Sequence, residues 1–382
     1  INKYIDTILS KSPSLNIVSN KELLNETINV ARDYAKNKKN FIVFGTGGSN
    51  LASRALLNIS FNVSKSKIDF YDNIDPIAFK NSLINTDIET TGFIIISKSG
   101  STPETLSQFG SIVEIASERN ILNNFYKNCL FITEFKDSPL FNIAEKNNCL
   151  KLEHQKNIGG RYSVFSNVGM VPAIIGGLNV QDIHNGANFI VENLKEYNPY
   201  KLGQLFKYKI SPKYTNSVIM TYSDSLYYFA KWYLQLWAES IGKNSKGITA
   251  IHSVGTTDQH SQLQLYLDGP KDKFFTFYTT NHKKKGFKLN NKIMFENKLE
   301  YLAQKTMGDL MQAEQQATID TFIKNNFKCR EVFLPSIDTF SMGSLMALSI
   351  VETIAACAYF EVDPFTQPAV EEGKLLTIKY LS

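Results

Sequence analysis

A chain of 382 residues that is 43% hydrophobic and 20% charged is an ordered globular protein with room for two domains, which excludes disordered and fibrous classes. The net charge is +5, and its densest basic run, Lys283 to Lys285 before Gly286, lacks interleaved aromatics and reads as a solvated turn, so no nucleic-acid partner is expected. No stretch approaches the ~18–20 uncharged apolar residues of a membrane helix, and the first residues lack the basic-then-apolar layout of a secretory signal.

Four scattered cysteines (Cys129, Cys149, Cys329, Cys357) form no CxxC pair. Neither a disulfide framework nor a zinc site is expected, and a reducing, cytoplasmic compartment fits best.

In chain order, helical periodicity covers Lys21–Ala35, and the β-branched and aromatic run Phe41–Gly45 reads as a strand. Further strands are read at Lys67–Asp72, Gly92–Ser97 and Cys129–Thr133, with helices at Leu51–Asn58 and Thr102–Glu118. Strand–helix alternation at this spacing predicts parallel strands joined by right-handed crossovers, an α/β sandwich.

Apolar periodicity then weakens over Asn179–Pro212, which reads as a connector. Beyond it the plan repeats, with strands at Ser217–Tyr222, Phe274–Thr279 and Glu331–Pro335. Helices are expected at Ser225–Ser240, Thr257–Leu267, Asn297–Asn325 and Ser341–Phe360, with a last one after Pro368. Two α/β domains in tandem are expected, over 20–155 and 195–345, followed by a C-terminal helical segment, 346–382.

Two loops suit an anion. GTGGS, Gly45–Ser49, leaves a strand and opens a helix, where glycines admit close approach and free amides carry a positive dipole end. A plain tight turn is the alternative. SKSGSTPET, Ser97–Thr105, gathers Ser97, Ser99, Ser101, Thr102 and Thr105 at a second strand-to-helix junction, with Gly100 for the bend. Hydroxyls and helix-start amides suit a dianionic phosphate without a metal. The alternative is helix capping, with Glu104 completing a capping box.

The segment Lys231–Ser240 is apolar nearly all round, and Gln235 and Glu239 lie four apart on one face of it. Glu239 falls at the helix's electronegative end. Apolar surroundings and that dipole both favour the protonated acid, as a general base working near neutrality requires; an exposed helix-end glutamate is the alternative. Of 41 basic residues only Arg32, Arg54, Arg119, Arg161 and Arg330 are arginine. Arg161, after Gly159 and Gly160, therefore suggests a need for a planar permanent cation, for an enediolate or for a structural ion pair. A histidine is chemically suited to handle a hydroxyl proton, which makes His260 a candidate, though a lone histidine is more often structural. Gln367 and Lys374 are seven apart, on one helix face.

Together these segments resemble the glucose-6-phosphate isomerase family. GGRYSVFSNVG (Gly159–Gly169) is similar to its arginine signature and FTQPAVEEGK (Phe365–Lys374) to its C-terminal one, and the likeness runs from Phe41 to Lys374. The resemblance implies two tandem sugar-isomerase (SIS) domains, each a three-layer α/β/α sandwich with a mainly parallel sheet. Gly48, Ser49 and Ser97 through Thr102, Lys98 and Ser99 included, would bind substrate phosphate, with Thr105 nearby. Gln235 and Gln367 would bind the sugar. Arg161 would stabilise an enediolate, Glu239 would shuttle the proton, and His260 and Lys374 would assist ring opening. The resemblance further implies a homodimer in which the histidine reaches the other copy's site, with no cofactor or metal. Thr46 stands where the family has an aliphatic residue, and a chain shorter than most members at both ends predicts reduced arms around the dimer. A related isomerase also accepting mannose 6-phosphate is one alternative. A non-catalytic phosphosugar sensor is another, but it would have no reason to keep Glu239, Arg161 and Lys374 together.

Overall fold

The computed structural model describes residues 2–59, 66–207 and 214–382. Strands β1 (Asn40–Phe44), β2 (Lys67–Tyr71), β3 (Gly92–Ile96), β4 (Cys129–Thr133) and β5 (Leu150–Glu153) form one parallel sheet, ordered β2-β1-β3-β4-β5. Strands β6 (Asn216–Thr221), β7 (Thr249–Val254), β8 (Lys273–Thr280) and β9 (Cys329–Leu334) form a second, ordered β7-β6-β8-β9 and again parallel throughout. The central strands are buried along their length: β3, β4 and β8 have no exposed residue. Helices cover both faces of a parallel sheet, so its central strands must be apolar on both sides.

The edge strands β5 and β7 escaped the sequence reading for the same reason. LKLE and TAIHSV mix polar residues into a half-covered position and give no continuous apolar run. The expected connector is also corrected. Val180–Glu192 is a helix that buries Val180, Ile183, His184, Ala187 and Ile190 on one face, while residues 208–212 lie outside the described ones. Gly186, which looks like a breaker, is a contact point. A Cβ there would stand 2.0 Å from the Phe340 carbonyl oxygen, and one at Gly343 would stand 2.0 Å from that of Ile183.

Two expected helices are shorter. The Asn297–Asn325 reading resolves into a turn at Glu300–Leu302 and a helix at Met307–Lys324, started by the reciprocal capping box of Thr306 and Asp309. Thr257–Leu267 divides into a turn at Thr257–His260 and a helix at Leu263–Asp268. There Asp258 accepts from the Val254 amide and the Ser261 hydroxyl instead of letting one helix run through.

Between the sheets, Ala52 and Leu56 of the Gly48–Leu57 helix, Trp232 and Leu236 of the Tyr227–Ile241 helix, and Met346 and Ile350 of the Thr339–Phe360 helix share one apolar cluster. The last of these is long and apolar enough to cross a membrane by length and composition, although Glu352 interrupts its uncharged run. Inside the protein that apolarity is used for packing, and its Glu352 forms a bidentate ion pair with Arg330 at 2.6 and 2.9 Å.

Burial also holds three histidines neutral. His154, His184 and His252 are each pushed down to about 4, desolvation being the largest cause. The unfolded chain protonates them below about pH 6.5, while the native state does not. Stability is therefore full above that pH and is lost as pH falls toward 4, by on the order of 1–2 kcal/mol per histidine at pH 5. Urea midpoints measured from pH 7 to pH 4.5 should fall steadily below 6.5. A midpoint flat down to pH 5 would refute the assignment.

Candidate active site

In the first sheet the chain leaves β1 for β2 on one side and returns with β3 on the other. This reversal opens a crevice at the carboxyl ends of β1 and β3, the place where open α/β sheets bind ligands. Both anion loops leave those two strands.

Gly47 sits at φ 54°, and a Cβ there would be 2.7 Å from the Gln235 amide nitrogen. A Cβ at Gly48 would be 2.1 Å from the Gly160 carbonyl and 2.6 Å from the Arg161 amide nitrogen. The glycine loop is thus seated on Gln235 and on the turn that carries Arg161, and Ser49 lies in the first turn of its helix.

In the second loop, Thr102 is the N-cap of the Pro103–Glu118 helix, yet its side chain makes no capping bond. Its hydroxyl lies 2.8 Å from that of Ser97, whose oxygen accepts from the Gly100 amide at 3.2 Å. Ser99 accepts from the Ser101 amide and hydroxyl at 3.2 and 3.1 Å. Capping is therefore not what these hydroxyls do. Gly100, at φ 68°, passes so close to Ser138 that a Cβ would be 2.2 Å from its hydroxyl. Thr105 is fully buried, its hydroxyl without a partner among the described residues. Lys98 lies 3.6 Å from Glu134, which Lys136 also holds, and burial lowers the pKa of the Lys98 ammonium.

Arg161 is buried on the short helix Gly160–Phe165, and its contacts span the chain. Nε donates to the Ser240 hydroxyl at 2.9 Å. Nη1 donates to Glu239 Oε2 at 3.0 Å and to Gln367 Oε1 at 2.8 Å. Nη2 donates to the carbonyls of Pro364 at 2.6 Å and Thr366 at 3.2 Å. A guanidinium has five N–H donors, and here all five are engaged. Tyr162 reinforces the same node, with its hydroxyl 2.8 Å from that of Ser240 and 3.1 Å from the Pro364 oxygen.

Glu239 shares a helix face with Gln235, which donates to its Oε1 at 2.9 Å. Its surroundings differ from the apolar ones expected: the side chain is 34% exposed and faces a cation. Nor is the helix end left electronegative. Lys243 donates to the carbonyls of Glu239 and Ser240 at 2.8 and 2.6 Å and caps it. Lys243, Ser240, Tyr162 and the 364–366 carbonyls were not found from sequence. Lysine four residues after Glu239 was the one signal available.

The structure brings together Gly47, Gly48, Arg161, Gln235, Glu239 and Gln367. It does not bring His260 or Lys374 to them. His260 is exposed at the end of its turn, and Lys374 pairs with Glu371 at 2.7 Å in solvent. Gln367 and Lys374 do not share a helix face, because Pro368–Val370 is a separate turn and the last helix is Glu371–Leu381.

The architecture has close counterparts among solved structures. A hypothetical protein of Thermus thermophilus is 27% identical and superposes with a TM-score of 0.91, covering 100% of this chain and 94% of its own. A glucose-6-phosphate isomerase of Chlamydia trachomatis superposes at 0.79 over 94% of this chain and 73% of its own; at 21% identity this is a likeness of fold. The two parallel sheets flanked by helices give the chain the fold of these sugar-phosphate isomerases. More narrowly, the chain belongs to the phosphoglucose isomerase family, whose model matches residues 23–381. A probable glucose-6-phosphate isomerase of Methanococcus maripaludis is 34% identical over 361 residues, 92% of this chain and 80% of that one. The chain is accordingly an enzyme with glucose-6-phosphate isomerase activity and a sugar phosphate as substrate.

Proposed function

We propose that the enzyme interconverts glucose 6-phosphate and fructose 6-phosphate through ring opening and a cis-enediol(ate), with Glu239 as the base. The observation that carries this is the bridge at Arg161 Nη1, which binds Glu239 on one side and Gln367 on the other. Once the ring is open, the carbon-2 proton lies next to the carbonyl at carbon 1. The Glu239 carboxylate removes it and delivers a proton, exchangeable with solvent, to carbon 1; a proton passes from oxygen 2 to oxygen 1, and the oxygens carry the transient negative charge beside the guanidinium. Of the side chains that Arg161 binds, Glu239 and Gln367 are the accessible ones, so the substrate competes with them for Nη1. Ser97 through Thr102, with Lys98, Gly48 and Ser49, hold the phosphate, Thr105 lies behind them, and Gln235 and Gln367 orient the sugar.

Ring opening falls to His260 and Lys374. Neither bonds to Glu239, Arg161 or Gln367 among the described residues, which supports a site completed by a second copy of the chain, hence a homodimer with its site at the subunit interface. The same reading divides the chain at 20–155, 195–345 and 346–382, around sheets that span residues 40–153 and 216–334, and places the enzyme in the cytoplasm. Turnover in deuterium oxide tests the proton route. A carboxylate that picks up protons from solvent should leave deuterium at carbon 1 of fructose 6-phosphate. Complete retention of the original hydrogen would indicate a hydride shift and remove Glu239 from this role.

A further inference from the structure

The second sheet repeats the reversal of the first. The chain leaves β6 for β7 on one side and returns with β8 on the other, so a second switch point lies at the carboxyl ends of β6 and β8. A cavity of about 520 Å³ occupies that place. It is the counterpart, in the second sheet, of the crevice that holds the anion loops in the first.

Its walls are fixed. His282 Nε2 lies 2.6 Å from the Tyr222 carbonyl oxygen, tying the loop after β8 to the end of β6. Gly308 runs so close to that loop that a Cβ would stand 2.1 Å from the His282 oxygen, and the Asp309 carboxylate accepts from the Lys284 amide at 3.0 Å. Four hydroxyl-bearing residues line the cavity, Ser223, Ser225, Thr256 and Thr257, and none of their hydroxyls has a hydrogen-bond partner among the described residues. Met307, Leu310 and Met311 supply an apolar side.

Charge decides the ligand class. Lys285 is the one lysine of the lining, against the carboxylates of Asp224 and Glu314, and none of the three is in an ion pair among the described residues. Burial keeps His282 neutral. The lining therefore carries one more negative charge than positive, which opposes a dianionic phosphate and suits hydroxyl donors. We propose that this second crevice binds a small polyhydroxylated molecule without net negative charge, of the free-sugar class, through the Ser and Thr hydroxyls and Glu314. The site shares no lining residue with the phosphate loops, and of the catalytic elements proposed above it touches only the turn that carries His260, through Thr257.

Ligand-observed NMR titration of the full-length protein with free glucose tests it, with inorganic phosphate as the contrasting probe. Saturable glucose binding is expected with a Kd on the order of 1 mM. Glu314→Gln and, independently, the double change Ser223→Ala with Ser225→Ala should each weaken it roughly tenfold, about the worth of one hydrogen bond to a charged group. Isomerase kcat/KM should be unchanged in both. Arg161→Lys should leave glucose binding intact, which separates this site from the catalytic one. No saturable binding, binding that survives both changes, binding lost with Arg161→Lys, or phosphate bound in preference to glucose would each overturn the proposal.

Discussion

Replacing Glu239 with glutamine is expected to lower turnover by ~10²–10⁴-fold while leaving sugar-phosphate binding in place. The change keeps the size of the side chain and an oxygen that can accept from Arg161 Nη1, now 3.0 Å from Oε2. It removes the group that takes the proton. The carboxylate is 34% exposed and reachable from the crevice, so the loss is chemical and not a failure of folding. Turnover measured by a coupled assay, together with substrate affinity by calorimetry, separates the two quantities. Near-normal turnover would reassign the base.

The sequence made some of this legible and not the rest, for physical reasons. Central strands such as GFIII and CLFIT announce themselves because burial on both faces demands an unbroken apolar run. Edge strands have no such demand, and LKLE is indistinguishable from a polar loop. Gly186 and Gly343 were opaque for the opposite reason: their meaning lies in which carbonyl oxygen a Cβ would meet, at 2.0 Å in each case, and that is a property of the fold.

The site divides in the same way. Gln235 and Glu239 could be paired from their spacing of four, since helix geometry fixes that face. That Arg161 would hold Glu239 could not be read from residues 78 positions apart. Two of its acceptors, the Pro364 and Thr366 oxygens, are backbone atoms that any residue carries. The same limit misled the reading of Glu239 itself. Its own helix is apolar, but the cation that faces the carboxylate comes from elsewhere in the chain, and the helix end is capped by Lys243.

Arg161→Lys should lower kcat by roughly 10²–10³-fold, the loss typical of removing a donor from a developing oxyanion, and raise KM much less. Lysine keeps the charge, but it offers three donors on one atom, where the guanidinium spreads five over a plane. An ammonium cannot reach Ser240, Glu239, Gln367 and the two carbonyls at once. Pro364 retains the Tyr162 hydroxyl and Ser240 retains the same partner. The Thr366 oxygen and the Gln367 amide lose the cation that fixes them, and so the chain is released at Thr366 and Gln367. Stability should fall by about 1 kcal/mol, the net worth of a typical lost hydrogen bond. Placement of Glu239 should suffer with it, because Nη1 is the contact that orients its carboxylate. The comparison of kcat with KM is decisive. If the guanidinium acts on charge that appears only as the proton leaves carbon 2, kcat carries the loss. If the Arg161→Lys change raised KM alone at unchanged kcat, Arg161 would be a holder of the ground-state sugar, and the enediolate would need another cation.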